Sequence, residues 1–173
     1  MVKYGLEGLY LTITKLIVIV GVSIILNMFK EVIFLLVLFN IIRYFGFGIH
    51  AKRSIECLIT SLILFIIIPY VLLHIQVSRE AMLLIGIVLI ISYLMWAPAD
   101  TVKRPLPNNK KKKIRKIMTI VIGIIYLCLS LVVPNYKISI LFLTAMIIQT
   151  IVICPITYML LRQPYNNYRK SDV

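Results

Sequence analysis

Long apolar runs separated by short charged segments dominate the hydropathy pattern of this chain. Four of the runs carry no charged residue, and each approaches or exceeds the roughly 20 residues that a helix needs to cross a bilayer. These four runs cover residues 57–78, 81–99, 117–136 and 138–161. A fifth run, 9–29, is interrupted only by Lys15, whose side chain is long enough to reach the nearer interface. A sixth, 32–42, ends before Arg43 after only eleven uncharged residues, so we expect it to be short, tilted or re-entrant.

The composition agrees with a membrane-embedded chain. Hydrophobic residues make up 61% of the 173 residues, charged residues only 14%, and the mean hydropathy is +1.01. A soluble domain of this length cannot hide so much apolar surface, so lipid must be the solvent for most of it. The opening residues contain Lys3 and Glu7 and no small-residue cleavage site, unlike a cleaved signal peptide. We therefore predict an all-α fold, with residues 1–173 forming one polytopic membrane domain of about six transmembrane helices.

The net charge of +13 is first a topology signal, because the basic residues flank the apolar runs. We predict no nucleic-acid partner. Residues 43–53, residues 97–116 and the C-terminal tail hold most of the Lys and Arg, which predicts that all three face the cytoplasm. Six crossings place both termini inside, whereas five would move only the N-terminus outside.

Residues 97–116 are predicted to form a cytoplasmic basic loop. Three prolines and two asparagines break the helical pattern there, and a basic cluster follows. The simplest interpretation is a positive-inside anchor that binds anionic lipid head groups. Eight basic residues are more than orientation requires, so an acidic partner is the second hypothesis. Its predicted contacts are Lys110, Lys111, Lys112, Lys113 and Arg115.

The candidate chemistry is a histidine and a thiol close together, His50 and Cys57, where the apolar pattern breaks. A lone cysteine in an apolar span is usually a small hydrophobe, and we interpret Cys128 and Cys154 in that way. The polar residues at 43–57 are dense for a bilayer boundary, and ionisable residues at that depth are costly and tend to mark function. Thiols attack as thiolates, which nearby cations and helix N-termini favour, and an imidazole can accept the thiol proton.

Geometry limits this pairing. On one straight helix, seven residues would leave His50 and Cys57 on one face but about 10.5 Å apart along the axis. Contact therefore requires that the chain fold back near Gly46 and Gly48, or that substrate close the gap. No CxxC, HExxH, GxGxxG or P-loop pattern occurs in the sequence, so we predict no metal site and no cofactor.

Two segments of the sequence, RYFGFGIHAKRSIEC (43–57) and APADTVKRPLPNNKKKKIRK (97–116), resemble the accessory gene regulator B (AgrB) family. These are integral membrane cysteine endopeptidases of Gram-positive bacteria. The family pattern R-x4-G-x-H-A-x2-S-x2-C is met by six residues, Arg43, Gly48, His50, Ala51, Ser54 and Cys57. The glycine pair of the family is split here by Phe47. YGLE at residues 4–7 is similar to the family's N-terminal part, although many members begin with a longer segment.

The resemblance implies that Cys57 is the nucleophile and His50 the general base. The enzyme would remove the acidic C-terminal tail of a short, membrane-associated AgrD-type propeptide. The acyl-enzyme thioester would then pass to an internal Cys or Ser, which yields a cyclic thiolactone or lactone for quorum sensing. The family also implies a homodimer in the cell membrane, with its active site at the cytoplasmic face.

Four further residues are expected to support the pair. Arg43 is assigned to positioning the motif, or to binding the tail or the carbonyl oxygen of the substrate. Gly48 belongs to the matched motif, and Ser54 lies about one turn from each of the two reactive residues. Asp100, at the start of the facing loop, is the best placed carboxylate to orient the imidazole.

Two other classes of protein compete with this interpretation. A peptide transporter or channel would need polar residues along several spans, and these spans contain only scattered Ser, Thr and Gln149. A non-catalytic, lipid-binding membrane protein would need only the basic loop, but it leaves the polar block at 43–57 unexplained. Selective alkylation of Cys57 would favour the enzyme over both.

Overall fold

The fold was obtained as a computed structural model that describes residues 2–49, 54–99, 109–163 and 165, with the side chains of 2–12 and 54 left out. Within these residues the chain is helical and has no β-strand. The helices are α1 (Val2–Ile25), α2 (Phe29–Gly46), α3 (Ser54–Leu62), α4 (Ile68–His74), α5 (Arg79–Trp96), α6 (Asn109–Val132), α7 (Tyr136–Ile153) and α8 (Pro155–Leu160). A π-helical segment, Ile63–Ile67, joins α3 to α4 without a break in the rod.

Four of these rods are long and apolar enough to cross a membrane: Ile55–His74, Arg79–Trp96, Asn109–Val132 and Tyr136–Ile153. A shorter apolar helix, Ile13–Ile25, forms the second half of α1. The all-α membrane prediction is therefore confirmed. The doubtful second run, 32–42, lies inside a continuous helix of 18 residues, which is about 27 Å long.

Two predicted boundaries are wrong, each for a local reason. The run 138–161 is not one helix, because α7 ends at Ile153 and Pro155 opens α8. Proline has no N–H and disfavours the helical conformation in the residue before it, and Cys154 is accordingly extended. The basic loop 97–116 is also shorter than predicted, since α6 begins at Asn109. Lys and Arg are good helix formers, so the basic cluster forms the first two turns of α6 instead of loop.

The centre of the bundle is α7. It packs against α2, α5 and α6, and 67% of its span is buried, against 22–28% of the other three spans. Two tyrosines tie neighbouring helices to one another. The Tyr93 hydroxyl donates to the Met146 carbonyl at 2.8 Å, and the Tyr126 hydroxyl donates to the Leu38 carbonyl at 2.9 Å. A buried phenol needs such a partner, so these bonds fix the register of α5 on α7 and of α6 on α2.

The helices alternate in direction, and the two ends of the bundle have different chemistry. At one end, Arg79 donates to two carbonyls in the last turn of α6 and to one just after it, and Lys137 pairs with Glu31 at 3.7 Å. At the other end, Arg115 in the first turns of α6 donates to the Tyr44 carbonyl near the end of α2. The basic start of α6 is therefore on the opposite side from Arg79 and Lys137, as the charge pattern predicted. That this side is cytoplasmic stays a prediction.

Candidate functional site

The segment that follows α2 is held by two other parts of the chain. The Gly48 amide donates to the Ala99 carbonyl, and the Ala99 amide donates to the Gly46 carbonyl, both at 3.1 Å. The Ile49 amide donates to the Val152 carbonyl at 3.1 Å, near the end of α7. Residues far apart in sequence thus meet at one end of the bundle. The structure brings the start of the 97–116 segment beside the first motif, which the sequence analysis could only assume.

The geometry requires glycine at Gly48, and Gly46, on the other side of Phe47, packs closely against a neighbouring side chain. Gly48 has a φ of +124°, and a Cβ there would lie 2.4 Å from Cγ1 of Val152. A Cβ on Gly46 would lie 2.5 Å from Nε2 of Gln149. The glycine pair split by Phe47 therefore keeps a steric reason at both positions.

Gln149 is a buried polar residue that the sequence marks only as one of a few scattered polar residues in the spans. Its side chain is fully buried in α7, and Nε2 donates to the Phe47 carbonyl at 3.0 Å. Its Oε1 is the single buried side-chain oxygen or nitrogen without a partner among the described residues. A polar side chain in a membrane span was the available signal. Its amide restrains the residue between the two glycines.

Arg43 lies at the end of α2 and contacts the same segment. Its Nη2 donates to the Ile49 carbonyl at 3.0 Å, and its guanidinium lies 5.2 Å from the ring centroid of Phe39. A bond to a backbone carbonyl six residues ahead holds the chain as it leaves α2. This contact supports the predicted positioning role of Arg43, which itself stays a prediction.

Cys57 is the fourth residue of α3 and is half-buried. Its Sγ lies 3.8 Å from Nζ of Lys15 on α1. Both side chains line a cavity of about 290 Å³ between α1, α2, α3 and the end of α7, together with Arg43 and Ile49. Its remaining polar lining comes from Asn40, Thr60, Ser61 and Thr157. The candidate nucleophile Cys57 therefore lines the same small cavity as two cationic side chains, those of Lys15 and Arg43.

Three of the predicted site residues lie wholly or partly outside what the structure describes. His50 and Asp100 lie outside the described residues, and of Ser54 only its place as the first residue of α3 is described. The described neighbours are informative. Ile49, which precedes His50, lines the cavity of Cys57, and Ala99, which precedes Asp100, is bonded to Gly48.

The five basic residues predicted to bind substrate divide into two groups. Lys110, Lys111 and Lys113 are exposed on the first turns of α6, and Lys112 is half-buried. Arg115 instead turns toward α2, where Nη1 donates to the Tyr44 carbonyl at 2.8 Å. Its guanidinium lies 4.2 Å from the ring centroid of Phe47. Cations stabilise the carbonyl end of a helix, so Arg115 has a structural role at the end of α2.

The fold and the cavity define a class, an integral membrane protein with a cysteine and two cations in a chamber at one end of a helical bundle. Comparison with known protein families assigns the chain to one family within this class. The profile of Accessory gene regulator B matches residues 1–153, which include both segments of the site. The chain belongs to the accessory gene regulator B (AgrB) family.

Individual relatives agree. A putative AgrB-like protein of Clostridium acetobutylicum is 30% identical over 170 residues, which are 98% of this chain and 81% of the relative. A putative AgrB-like protein of Listeria monocytogenes serotype 4a is 27% identical over 171 residues, 99% of this chain and 84% of the relative. Accessory gene regulator protein B of Staphylococcus carnosus is 33% identical over 129 residues, 75% of this chain and 67% of the relative. No solved structure matches the chain.

Proposed function

We propose that this protein is a membrane cysteine endopeptidase that removes the C-terminal tail of an AgrD-type propeptide and cyclises the remainder for quorum sensing. The observation that carries the proposal is the position of Cys57. In a chain of the AgrB family, its thiol lines a cavity shared with Lys15 and Arg43. A thiol that served only as filler in a membrane span would gain nothing from two charged neighbours, which are costly to place there.

In the proposed first step, His50 accepts the proton of the Cys57 thiol, and the thiolate attacks a peptide carbonyl carbon. The C–N bond breaks, the proton passes from His50 to the leaving amine, and a thioester forms. Ile49 supports this assignment, because it lines the same cavity as Cys57 and lies one peptide unit, about 3.8 Å between Cα atoms, before His50. The bond from Arg43 to the Ile49 carbonyl holds the chain at the residue that precedes His50.

In the second step, an internal Cys or Ser of the peptide attacks the thioester carbonyl and gives its proton to His50, the bond from the carbonyl carbon to Sγ breaks, and Cys57 leaves as a thiolate. Transfer prevails over hydrolysis only where water is scarce and the internal nucleophile is held close. Apolar side chains make up most of the cavity wall, among them Ile19, Leu64 and Phe65. Such a chamber supports acyl transfer to a folded-back peptide, with a thiolactone or lactone as the product.

The proposed substrate has an acidic tail that binds the exposed lysines at the start of α6. Lys110 to Lys113 lie at the same end of the bundle as the cavity, since Arg115 two residues later contacts Phe47. Exposed ion pairs are individually weak, so the four must act together, alongside their binding of membrane lipids. The proposed site faces the cytoplasm. Within it, Asp100 orients the His50 imidazole, and Ser54 supports the His50–Cys57 pair. The proposed assembly is a homodimer.

The test is processing of a co-expressed AgrD-type propeptide, followed by mass spectrometry of the cut tail and the cyclic product. Cys57→Ala and His50→Ala should each abolish both products while the protein still inserts and binds the propeptide. Cys128→Ala and Cys154→Ala are matched controls, because neither thiol lines the cavity, and both should process normally. Cut peptide at a comparable rate from Cys57→Ala would refute the proposal.

A further inference from the structure

Lys15 is the one charged residue within an otherwise apolar stretch of α1, and it faces protein. It lies ten residues before the end of α1 at Ile25, about 15 Å along the axis. A lysine at such a depth commonly extends toward the head groups. Here the side chain is half-buried, and Nζ lies 3.8 Å from Cys57 Sγ in the shared cavity.

The charged residues that line the cavity in the described part of the chain are both cations. Arg43 is the other charged residue among those that line the cavity, and its Nη2 is bonded to the Ile49 carbonyl. No carboxylate lines the cavity in the described part of the chain. Glu31, on the same helix as Arg43, pairs with Lys137 at the opposite end of the bundle. The Lys15 ammonium lies beside the Cys57 sulfur within a membrane span, and no described carboxylate on the cavity wall neutralises it. This arrangement suits an ammonium that attracts a negative charge formed on the sulfur.

We propose that Lys15 is a further catalytic residue, whose ammonium group stabilises Cys57 as the thiolate. The inference rests on the proposed function, in which Cys57 is the nucleophile. Lys15 keeps its own protons throughout, because the thiol proton goes to His50 and later to the leaving amine. When the thioester forms, the negative charge leaves the sulfur, and when the cyclic product departs the charge returns beside the ammonium. At about 4 Å in a low-dielectric site, this attraction is far stronger than between two solvated groups.

The contact also assigns a role to α1. This helix packs against α2, α3 and the π-helical segment, so it closes the cavity on the side of Lys15. Cys57 lies on α3, whereas the segment that leads to His50 follows α2. The site is therefore assembled from three separate parts of the chain, and the cation that contacts the sulfur comes from the part that the 43–57 motif does not include.

The experiment measures alkylation of Cys57 by iodoacetamide at neutral pH, in a Cys128→Ala, Cys154→Ala background reconstituted in phosphatidylcholine vesicles. Lys15→Met removes the charge at nearly constant length, and Lys15→Arg keeps it. Lys15→Met should slow alkylation roughly tenfold, because the ammonium that lies 3.8 Å from Sγ no longer attracts the negative charge of the attacking sulfur. Lys15→Arg should stay close to the parent rate. Lys30→Met, an exposed position in the first turn of α2 at the opposite end, is the matched control and should change nothing.

A second measurement needs no substitution at Lys15, so it remains decisive even where Lys15→Met fails to insert. The rate ratio of iodoacetate to iodoacetamide reports local positive charge, because only the first reagent is an anion. This ratio should be higher at Cys57 than at Cys154 in matched single-cysteine proteins. Equal ratios, or a Lys15→Met protein alkylated at the parent rate, would overturn the inference.

The two proposals fail separately. A normal alkylation rate in Lys15→Met, together with loss of cyclic product in Cys57→Ala, would remove Lys15 from the mechanism and leave the endopeptidase standing. Processing that survives Cys57→Ala would remove the endopeptidase, whatever the alkylation rates.

Discussion

A single methyl group at Gly48 should damage both the stability and the activity of the protein. Gly48 has a φ of +124°, and a Cβ would stand 2.4 Å from Cγ1 and 3.1 Å from the carbonyl oxygen of Val152. Backbone strain of this kind costs about 1–3 kcal/mol, and overpacking costs about 1–3 kcal/mol more. Gly48→Ala should therefore lower the free energy of unfolding by roughly 2–6 kcal/mol.

A double-mutant cycle separates the two causes. Val152→Ala removes the Cγ1 atom that a Cβ at position 48 would meet, so Gly48→Ala should cost less in that background. The part due to φ should persist, because only glycine is at ease in that conformation. The coupling between the two substitutions should be about 1–3 kcal/mol.

The assay is thermal unfolding in detergent, followed by propeptide processing in membranes. Gly21→Ala is the matched control, because a Cβ there would meet no described atom within 4 Å apart from its own helix backbone, and alanine in mid-helix should be neutral or slightly stabilising. Processing by Gly48→Ala should fall further than stability alone explains, since the segment leads to His50. Unfolding of Gly48→Ala at the parent temperature would refute the steric reasoning, and an equal cost in the Val152→Ala background would refute the assigned clash.

Three further outcomes are expected. Gln149→Met removes the hydrogen bond from Nε2 to the Phe47 carbonyl, so the unfolding free energy should fall by about 1–3 kcal/mol in denaturant titrations; no loss would mean that the amide does not hold the loop. Arg79→Met removes the donor to the last carbonyls of α6 and should lower thermal stability by about 1–3 kcal/mol, with partial recovery in Arg79→Lys because an ammonium lacks the planar fork. Replacement of Lys110, Lys111, Lys112 and Lys113 by Gln should impair propeptide processing while insertion persists, and salt should weaken processing by the parent protein. Unchanged processing across a range of salt would leave only lipid anchoring for these lysines.

Much of the architecture was predictable because the solvent is lipid. Apolar runs of about 20 residues are expected to cross a bilayer as helices, because a helix satisfies the backbone groups of one run within that run. The positions of Arg79, Lys137 and the lysines of α6 also predicted which ends of the helices lie together. The errors came at residues where local chemistry overrides hydropathy, such as Pro155, which ends α7, and the lysine run, which extends α6.

The candidate site was predictable only as a list of residues. The sequence marked Arg43, Gly48 and Cys57, and the structure places them around one cavity and one loop. The sequence did not mark Lys15 as a site residue, because a lysine in an apolar run is expected to extend its side chain to the membrane interface. Nor did it separate Arg115, which binds the end of α2, from the exposed lysines beside it.

The helical segments, the concentrations of charge and the residues with reactive chemistry can be read from the sequence alone. The central position of α7, the contact of Gln149 with the loop after α2, and the contact of Lys15 with Cys57 become visible only in the folded chain. This is because lipid-facing and core-facing surfaces are equally apolar. In water, an amphipathic stripe shows which face of a helix is buried. In a bilayer the contrast between an apolar and a polar face disappears. The pairing of helices then depends on side-chain packing between residues distant in the chain.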